Sequence, residues 1–210
     1  MMGTKADSRA AHGRASRMSE QFSLAGFDAA PRPTDRLFFA IYPNRDAAAR
    51  IARLAQRQRS VQGLQGSPLA TEHFHITLHH LGDYVGVPQT IVAAAGEAAS
   101  AVAMPPFEVV FDRAASFDKP RNRPFVLRGG DGVAALMAFQ EALGTAMKKA
   151  GLGRLAESRF TPHVTLLYDD RRVAEQAVET VGWTAHEFVL VHSLLGQTRH
   201  VPLARWPLRG

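Results

Sequence analysis

The stretch "HFHITLHHLG", His73–Gly82, places four of the chain's nine histidines within ten residues. Far downstream the chain writes "FTPHVTLLYD", Phe160–Asp169. Both contain the order His, β-branched residue, Thr, Leu, and both read as short strands rich in β-branched and apolar residues. A strand turns successive side chains to opposite faces. On that period His73, His75, Thr77 and His79 share one face, and Phe74, Ile76, Leu78 and His80 share the other. In the second stretch His163 and Thr165 face one way while Val164 and Leu166 face the other.

Around these strands the chain alternates helix and strand. "RLFFAIYP" carries a short apolar, aromatic run, Leu37 to Tyr42, stopped by proline, which predicts a buried strand. Asn44 is placed to cap a helix whose apolar positions Ile51, Leu54 and Ala55 recur at helical spacing. Residues 89–103 are Ala-rich and helical. "FEVVF" (Phe107–Phe111) and "PFVLR" (Pro124–Arg128) read as strands joined by the basic loop "SFDKPRNRP". Asp131 is placed to cap a helix through Lys149, with Val133, Leu136, Met137, Leu143 and Met147 on its apolar side and Gly151 as its stop. A further helix is an option after the second motif, before the strands "HEFVLVHSLLG" and "RHVPLARWPL". Each His-x-Thr strand follows a helix in its own half. The expected fold is therefore α+β and bilobal. Each of the two similar lobes carries one motif, and if a pseudo-two-fold axis relates them, the two His-Thr pairs can meet across one groove.

Composition bounds the function. With 210 residues, 46% hydrophobic and 21% charged, the chain suits one globular domain. It has no cysteine, so disulfides and thiolate metal sites are excluded. That suits a reducing compartment, and a cytoplasmic monomer is the expectation. No apolar run approaches the ~20 residues of a membrane span. Residues 1–35 are rich in Ala, Ser, Gly and Arg and poor in large apolar residues, which predicts a disordered extension before a single domain over 36–210. Translation from Met18 instead of Met1 is an open alternative. The extension holds five basic and four acidic residues, so the surplus behind the net charge of +6 lies in the domain. A basic surplus suits a polyanionic partner.

Two imidazoles facing one another across a groove suit acid–base chemistry at a phosphodiester. One neutral ring takes a proton from water or a hydroxyl, and the other, protonated, donates to the departing oxygen. The threonine hydroxyls can hydrogen-bond the non-bridging oxygens, where charge must be held. A single His-x-Thr is common chance material; two copies in matching strands are specific. The rival is a metal held by His73, His75 and His79, since His-x-His on a strand binds divalent ions. Such sites usually recruit carboxylates, and none stands out beside either motif.

At these residues the chain resembles the 2H phosphoesterase superfamily, and within it the RNA 2′,3′-cyclic phosphodiesterases, historically called 2′-5′ RNA ligases. The likeness spans residues 36–210: "RLFFAIYP" resembles the opening strand, the two His-x-Thr stretches the motif strands, and "LVHSLLGQTRHVPLARWPL" the closing hairpin. The resemblance implies a bilobal α+β fold without cofactor, its two pseudo-two-fold-related lobes carrying antiparallel sheets that flank a central groove, with helices outside. The implied reaction is metal-independent hydrolysis of a 2′,3′-cyclic phosphate, on RNA ends or nucleotides, to the 2′-phosphate, with reversible 2′-5′ joining. It assigns His75 and Thr77 from the first motif and His163 and Thr165 from the second, with His163 as base towards water and His75 as acid to the 3′ oxygen. Where relatives often have an arginine, this chain has Tyr168; where they frequently have an aromatic, it has His200. Phe117, Lys119, Arg121 and Arg123 of the basic loop, with Tyr168, are the expected substrate-binding residues. Two other functions stay open: a non-catalytic RNA-binding protein that keeps the groove, and a phosphodiesterase for a small nucleotide such as ADP-ribose cyclic phosphate or 2′-5′ oligoadenylate.

Overall fold

The computed structural model of the chain describes residues 31–210. The elements follow in order: β1 (Asp35–Ile41), α1 (Arg45–Gln62), β2 (Ile76–Tyr84), α2 (Gln89–Ser100), β3 (Phe107–Ser116), β4 (Arg123–Arg128), α3 (Ala134–Lys149), β5 (His163–Asp169), β6 (Gln176–Ala185), β7 (Glu187–Leu194) and β8 (Arg199–Pro207). Two four-stranded antiparallel sheets result, ordered β2-β1-β7-β8 and β5-β4-β3-β6. Each motif strand is an edge strand, paired with the strand that precedes it in its own strand–helix–strand unit. Unit β1-α1-β2 thus corresponds to β4-α3-β5, which is the duplication expected from the sequence.

The local chemistry is as expected at α1. Asn44 accepts the Ala47 amide at 2.9 Å, and Gly63 ends the helix at φ 62°, a left-handed conformation that costs glycine little. Ile51, Leu54 and Ala55 are buried. Asp131 departs from expectation: it starts a 3₁₀ turn over Asp131–Val133, and Val133 precedes α3 without a side-chain cap. Met137 is exposed, while Leu136, Leu143 and Met147 are fully buried. No helix forms after the second motif. Residues 176–185 are strand β6, because Val181, Trp183 and Ala185 bury every second side chain against the core. Asp35, expected in the N-terminal extension, already belongs to β1: its carboxylate lies 2.6 Å from His192 Nε2 and accepts the Gly86 amide at 2.8 Å. Thr34, also expected in the extension, donates its amide to the Tyr84 carbonyl at 2.8 Å, while residues 1–30 lie outside the described residues.

One core serves both sheets, uniting Leu37, Phe39 and Ile41 of β1 with Phe125 and Leu127 of β4 and Val164, Leu166 and Leu167 of β5. The opposite face of the first sheet holds a separate small cluster of Phe38, Ala40, Val189 and Val191, with Tyr42 against it.

The motif strands depart from simple alternation at the same residue. In β2 the pairing with β1 skips Leu78, so Phe39 meets His79 and Ala40 meets Thr77. In β5 the pairing with β4 skips Leu166, so Phe125 meets Leu167 and Val126 meets Thr165. Each leucine sits at a β-bulge, fully buried, and burying such a side chain contributes roughly 1.5–3 kcal/mol. A bulge reverses the facing of every residue after it. His79, expected on the face of His75, is therefore fully buried, as is Leu167 at the matching place. His80 and Tyr168, each five residues beyond a motif histidine, turn back to the surface that Thr77 and Thr165 share.

Candidate active site

Between the two edge strands lies a groove of about 450 Å³ that receives His75, Thr77, His163 and Thr165 together. The segment before β2 draws the two edges close. Asp169, at the end of β5, accepts the backbone amides of Gln65 at 2.6 Å, Gly66 at 2.8 Å and Arg171 at 2.7 Å. The Leu69 amide then donates to the carbonyl of bulged Leu166 at 2.8 Å. Gly66 passes so close that a Cβ there would stand 1.9 Å from the Tyr168 carbonyl oxygen. Only glycine permits that approach.

The two histidines are set by the same device. The Nδ1 of His75 lies 2.7 Å from the His73 carbonyl, and the Nδ1 of His163 lies 2.7 Å from the Thr161 carbonyl. A carbonyl only accepts, so each ring carries its proton on Nδ1 when neutral and leaves Nε2 free. Aromatic rings fix both orientations. Phe38 lies 5.1 Å from His75, centroid to centroid, and Phe117 stands edge-on to His163 at 4.7 Å. Arg128 sits 6.0 Å above the Phe117 ring and pairs with Glu175 at 2.8 Å, steadying that wall.

Burial pushes the pKa of His75 down to about 4, opposed by its bond to the His73 carbonyl and reinforced by the charges of His200, His163 and His73. Burial also lowers His163, where the Thr161 carbonyl opposes the shift, Arg128 adds to it and Glu157 opposes it. Both rings are neutral in the free protein at pH 7.

Of the expected binding residues, Phe117, Lys119 and Tyr168 line the groove. Arg121 and Arg123 do not. The Arg123 guanidinium bonds the Asp170 carbonyl, because this loop folds back on the turn after β5, where the Asn122 amide also donates to Asp170 at 2.6 Å. The cation at the far end of the groove is instead Arg36 of β1, paired bidentately with Asp83 at 2.7 and 2.8 Å. His80 approaches the same carboxylate at 3.0 Å, and these contacts hold Asp83 at a pKa of about 2. Arg36 lies near enough to feel Tyr168, the residue that stands where relatives often have arginine.

Sequence reasoning missed Arg36 and His80, and noted His200 only as standing where relatives frequently have an aromatic. The His200 ring stands 5.1 Å from His73 and 5.2 Å from His75, edge-on to both. The signal for His80 was present in the common five-residue spacing His75–His80 and His163–Tyr168; the bulge that makes the spacing meaningful was not. The rival metal set separates: His73 and His75 reach the groove while His79 is in the core. Among the described residues no three His, Asp or Glu side chains converge as a metal-binding group, and no helix is long and apolar enough to cross a membrane.

Comparison with known proteins agrees with this fold. The family model described as the 2′-5′ RNA ligase superfamily matches residues 42–197. No curated protein matches the chain in sequence. Among solved structures, E. coli LigT complexed with NADP+ is 27% identical with a TM-score of 0.64, covering 85% of this chain and 99% of that one. LigT complexed with 3′-AMP is 26% identical, TM-score 0.57, covering 86% and 100%. TT0787 of Thermus thermophilus shares the fold at 21% identity, TM-score 0.67, over 83% and 98%.

Proposed function

Because the chain belongs to the 2′-5′ RNA ligase superfamily of 2H phosphoesterases, we propose that its groove hydrolyses 2′,3′-cyclic phosphates of RNA ends or nucleotides to 2′-phosphates. The observation that carries this reading is the matched pair of Nδ1-anchored histidines, each with a threonine, lining one groove. Water attacks phosphorus as one neutral imidazole takes its proton. The bond from phosphorus to the 3′ oxygen breaks, and the second imidazole, protonated, gives its proton to that oxygen. Thr77 and Thr165 donate to the non-bridging oxygens, and Lys119 offsets their charge. With a 5′ hydroxyl in place of water as the nucleophile, the same displacement, with the 3′ oxygen leaving, joins ends through a 2′-5′ linkage. Every proton transfer uses a group of the protein, so the scheme needs neither metal nor cofactor. The LigT complexes with 3′-AMP and NADP+ support a nucleotide as the occupant.

The electrostatics favour a division of labour opposite to the one the resemblance suggested. A bound phosphate monoanion favours the protonated form of both rings, and the first proton goes to the ring that holds it more readily. His75 starts from about 4 and is buried more deeply, whereas Glu157 already favours the protonated form of His163. His163 therefore takes the proton as acid, and His75 remains the neutral base. A substrate with sulfur in place of the leaving 3′ oxygen needs no acid, so it should restore turnover to His163→Ala and not to His75→Ala. Rescue of His75→Ala alone reverses the roles.

The reading itself is tested by incubating the protein in EDTA with 2′,3′-cyclic mononucleotides and a short RNA ending in that group. Conversion to the 2′-phosphate is expected. Salt-sensitive RNA binding without turnover of any cyclic phosphate, unaffected by either histidine substitution, would replace it with the non-catalytic reading.

A further inference from the structure

His79 is a fully buried histidine at a place where the second lobe is content with Leu167. A polar ring in a core costs stability unless its atoms are paired, and both of its nitrogens are. Nε2–H donates to the Gln140 carbonyl on α3 at 2.9 Å, and Nδ1 accepts the Glu157 amide at 3.1 Å. Only the neutral Nε2–H form satisfies both. Gln140, also buried, donates its side-chain amide to the Glu157 carbonyl at 3.1 Å. The backbone of Glu157 is thus held at its N–H and at its C=O. Gly144 leaves room for the ring, since a Cβ there would stand 3.1 Å from its Cε1.

What this network holds is the wall behind His163. The Glu157 carboxylate accepts the His80 amide at 3.2 Å, fastening the segment to the edge of β2. Four residues on, the Thr161 carbonyl accepts from His163 Nδ1. Arg159, Phe160 and Thr161 line the cleft next to His163.

We propose that His79 is a positioning residue for His163, acting through the segment 157–162 that carries both the Glu157 carboxylate and the Thr161 carbonyl. Its kinetic consequence rests on the phosphoesterase reading; its structural consequence does not. The charged groups that face Glu157 are Glu141 and Lys148 of α3, Asp118 and Lys119 of the β3–β4 loop, and Arg159 of its own segment. Of these carboxylates, Glu157 is the one coupled to His163, favouring its protonated form.

The experiment follows the His163 ring by NMR titration, which needs no turnover, alongside kcat and KM on a cyclic mononucleotide. Glu157→Gln, at an exposed side chain, should lower the His163 midpoint and move the corresponding limb of the pH–rate profile to lower pH. His79→Leu should lower kcat about tenfold or more with KM little changed. His79→Asn, whose Oδ1 takes the place of Nδ1 and still accepts the Glu157 amide, should stay within about threefold of wild type. Glu157→Gln with an unmoved midpoint overturns the proposal, and so does His79→Asn as impaired as His79→Leu. If His79→Leu does not fold, Glu157→Gln decides together with His79→Asn, whose loss of tenfold or more in kcat then overturns the proposal. A shifted midpoint in a protein that turns over no cyclic phosphate keeps the positioning role and rejects the phosphoesterase reading.

Discussion

His75 donates its Nδ1–H to the carbonyl of His73 at 2.7 Å, which leaves Nε2 as the one ring atom able to exchange a proton with a substrate. His163 repeats the relationship with Thr161. Removing either ring, as His75→Ala or His163→Ala, should cost 10²–10⁴-fold in kcat with folding intact, the usual worth of a positioned acid or base. Thr77→Val and Thr165→Val should each cost roughly 10²-fold, the scale of one lost oxyanion donor. Steady-state kinetics on a cyclic mononucleotide checks both; a His75→Ala enzyme within tenfold of wild type contradicts the assignment.

The burial of His75 also has a stability signature. Its pKa is about 4 when folded and ~6.5 when unfolded. Between those values the unfolded chain binds more protons, so stability is full above pH 6.5 and is lost as pH falls towards 4. Over that window His75 accounts for on the order of 2–3 kcal/mol, after allowance for partial exposure. Denaturant unfolding at pH 7 and pH 4 should show a smaller acid loss in His75→Gln than in wild type. Equal losses in the two proteins contradict the shift.

Gly66 and Asp169 hold the segment before β2 against the end of β5. Gly66→Ala forces a methyl against the Tyr168 carbonyl and should destabilise the fold by roughly 2–4 kcal/mol, in the range of severe backbone or packing conflicts. Asp169→Asn should cost about 1–3 kcal/mol through weakened bonds to three amides. Both should lower kcat/KM as the edges separate, and thermal unfolding with parallel kinetics measures the two effects. Wild-type activity in an Asp169→Asn protein of reduced Tm contradicts the link between this clamp and the groove.

Charge in the groove belongs to Lys119 and Arg36. Lys119→Ala should raise KM several-fold and reduce its salt dependence, whereas Arg121→Ala and Arg123→Ala should change KM less than twofold. Initial rates at about 50 and 200 mM salt distinguish them. Equal effects at all three positions would return the basic loop to the role the sequence suggested.

The paired motifs, the strand–helix order and the groove were legible because they rest on local chemistry: β-branched runs, an Asn cap, a glycine stop. What the residues concealed were the bulges at Leu78 and Leu166. Alternation assumes an unbroken period of two, and one extra residue sends His79 inward and His80 outward. Arg121 and Arg123 looked available because a basic loop reads as free cations for phosphate, although this loop folds onto Asp170. Strand β6 was obscured because its alternation is confined to Val181, Trp183 and Ala185, after a half that is mostly exposed. Arg36 was invisible for a different reason, since it meets the groove only through sheet pairing with β2.

The central claim is that the rings of His75 and His163 act on one phosphate. A crystal structure of the protein with a 2′-nucleotide product tests it most directly. The expected result is a phosphate within about 2.7–3.2 Å of Nε2 on both rings, with the Thr77 and Thr165 hydroxyls on its remaining oxygens. A phosphate bound to one ring only, or seated elsewhere on the protein, contradicts it.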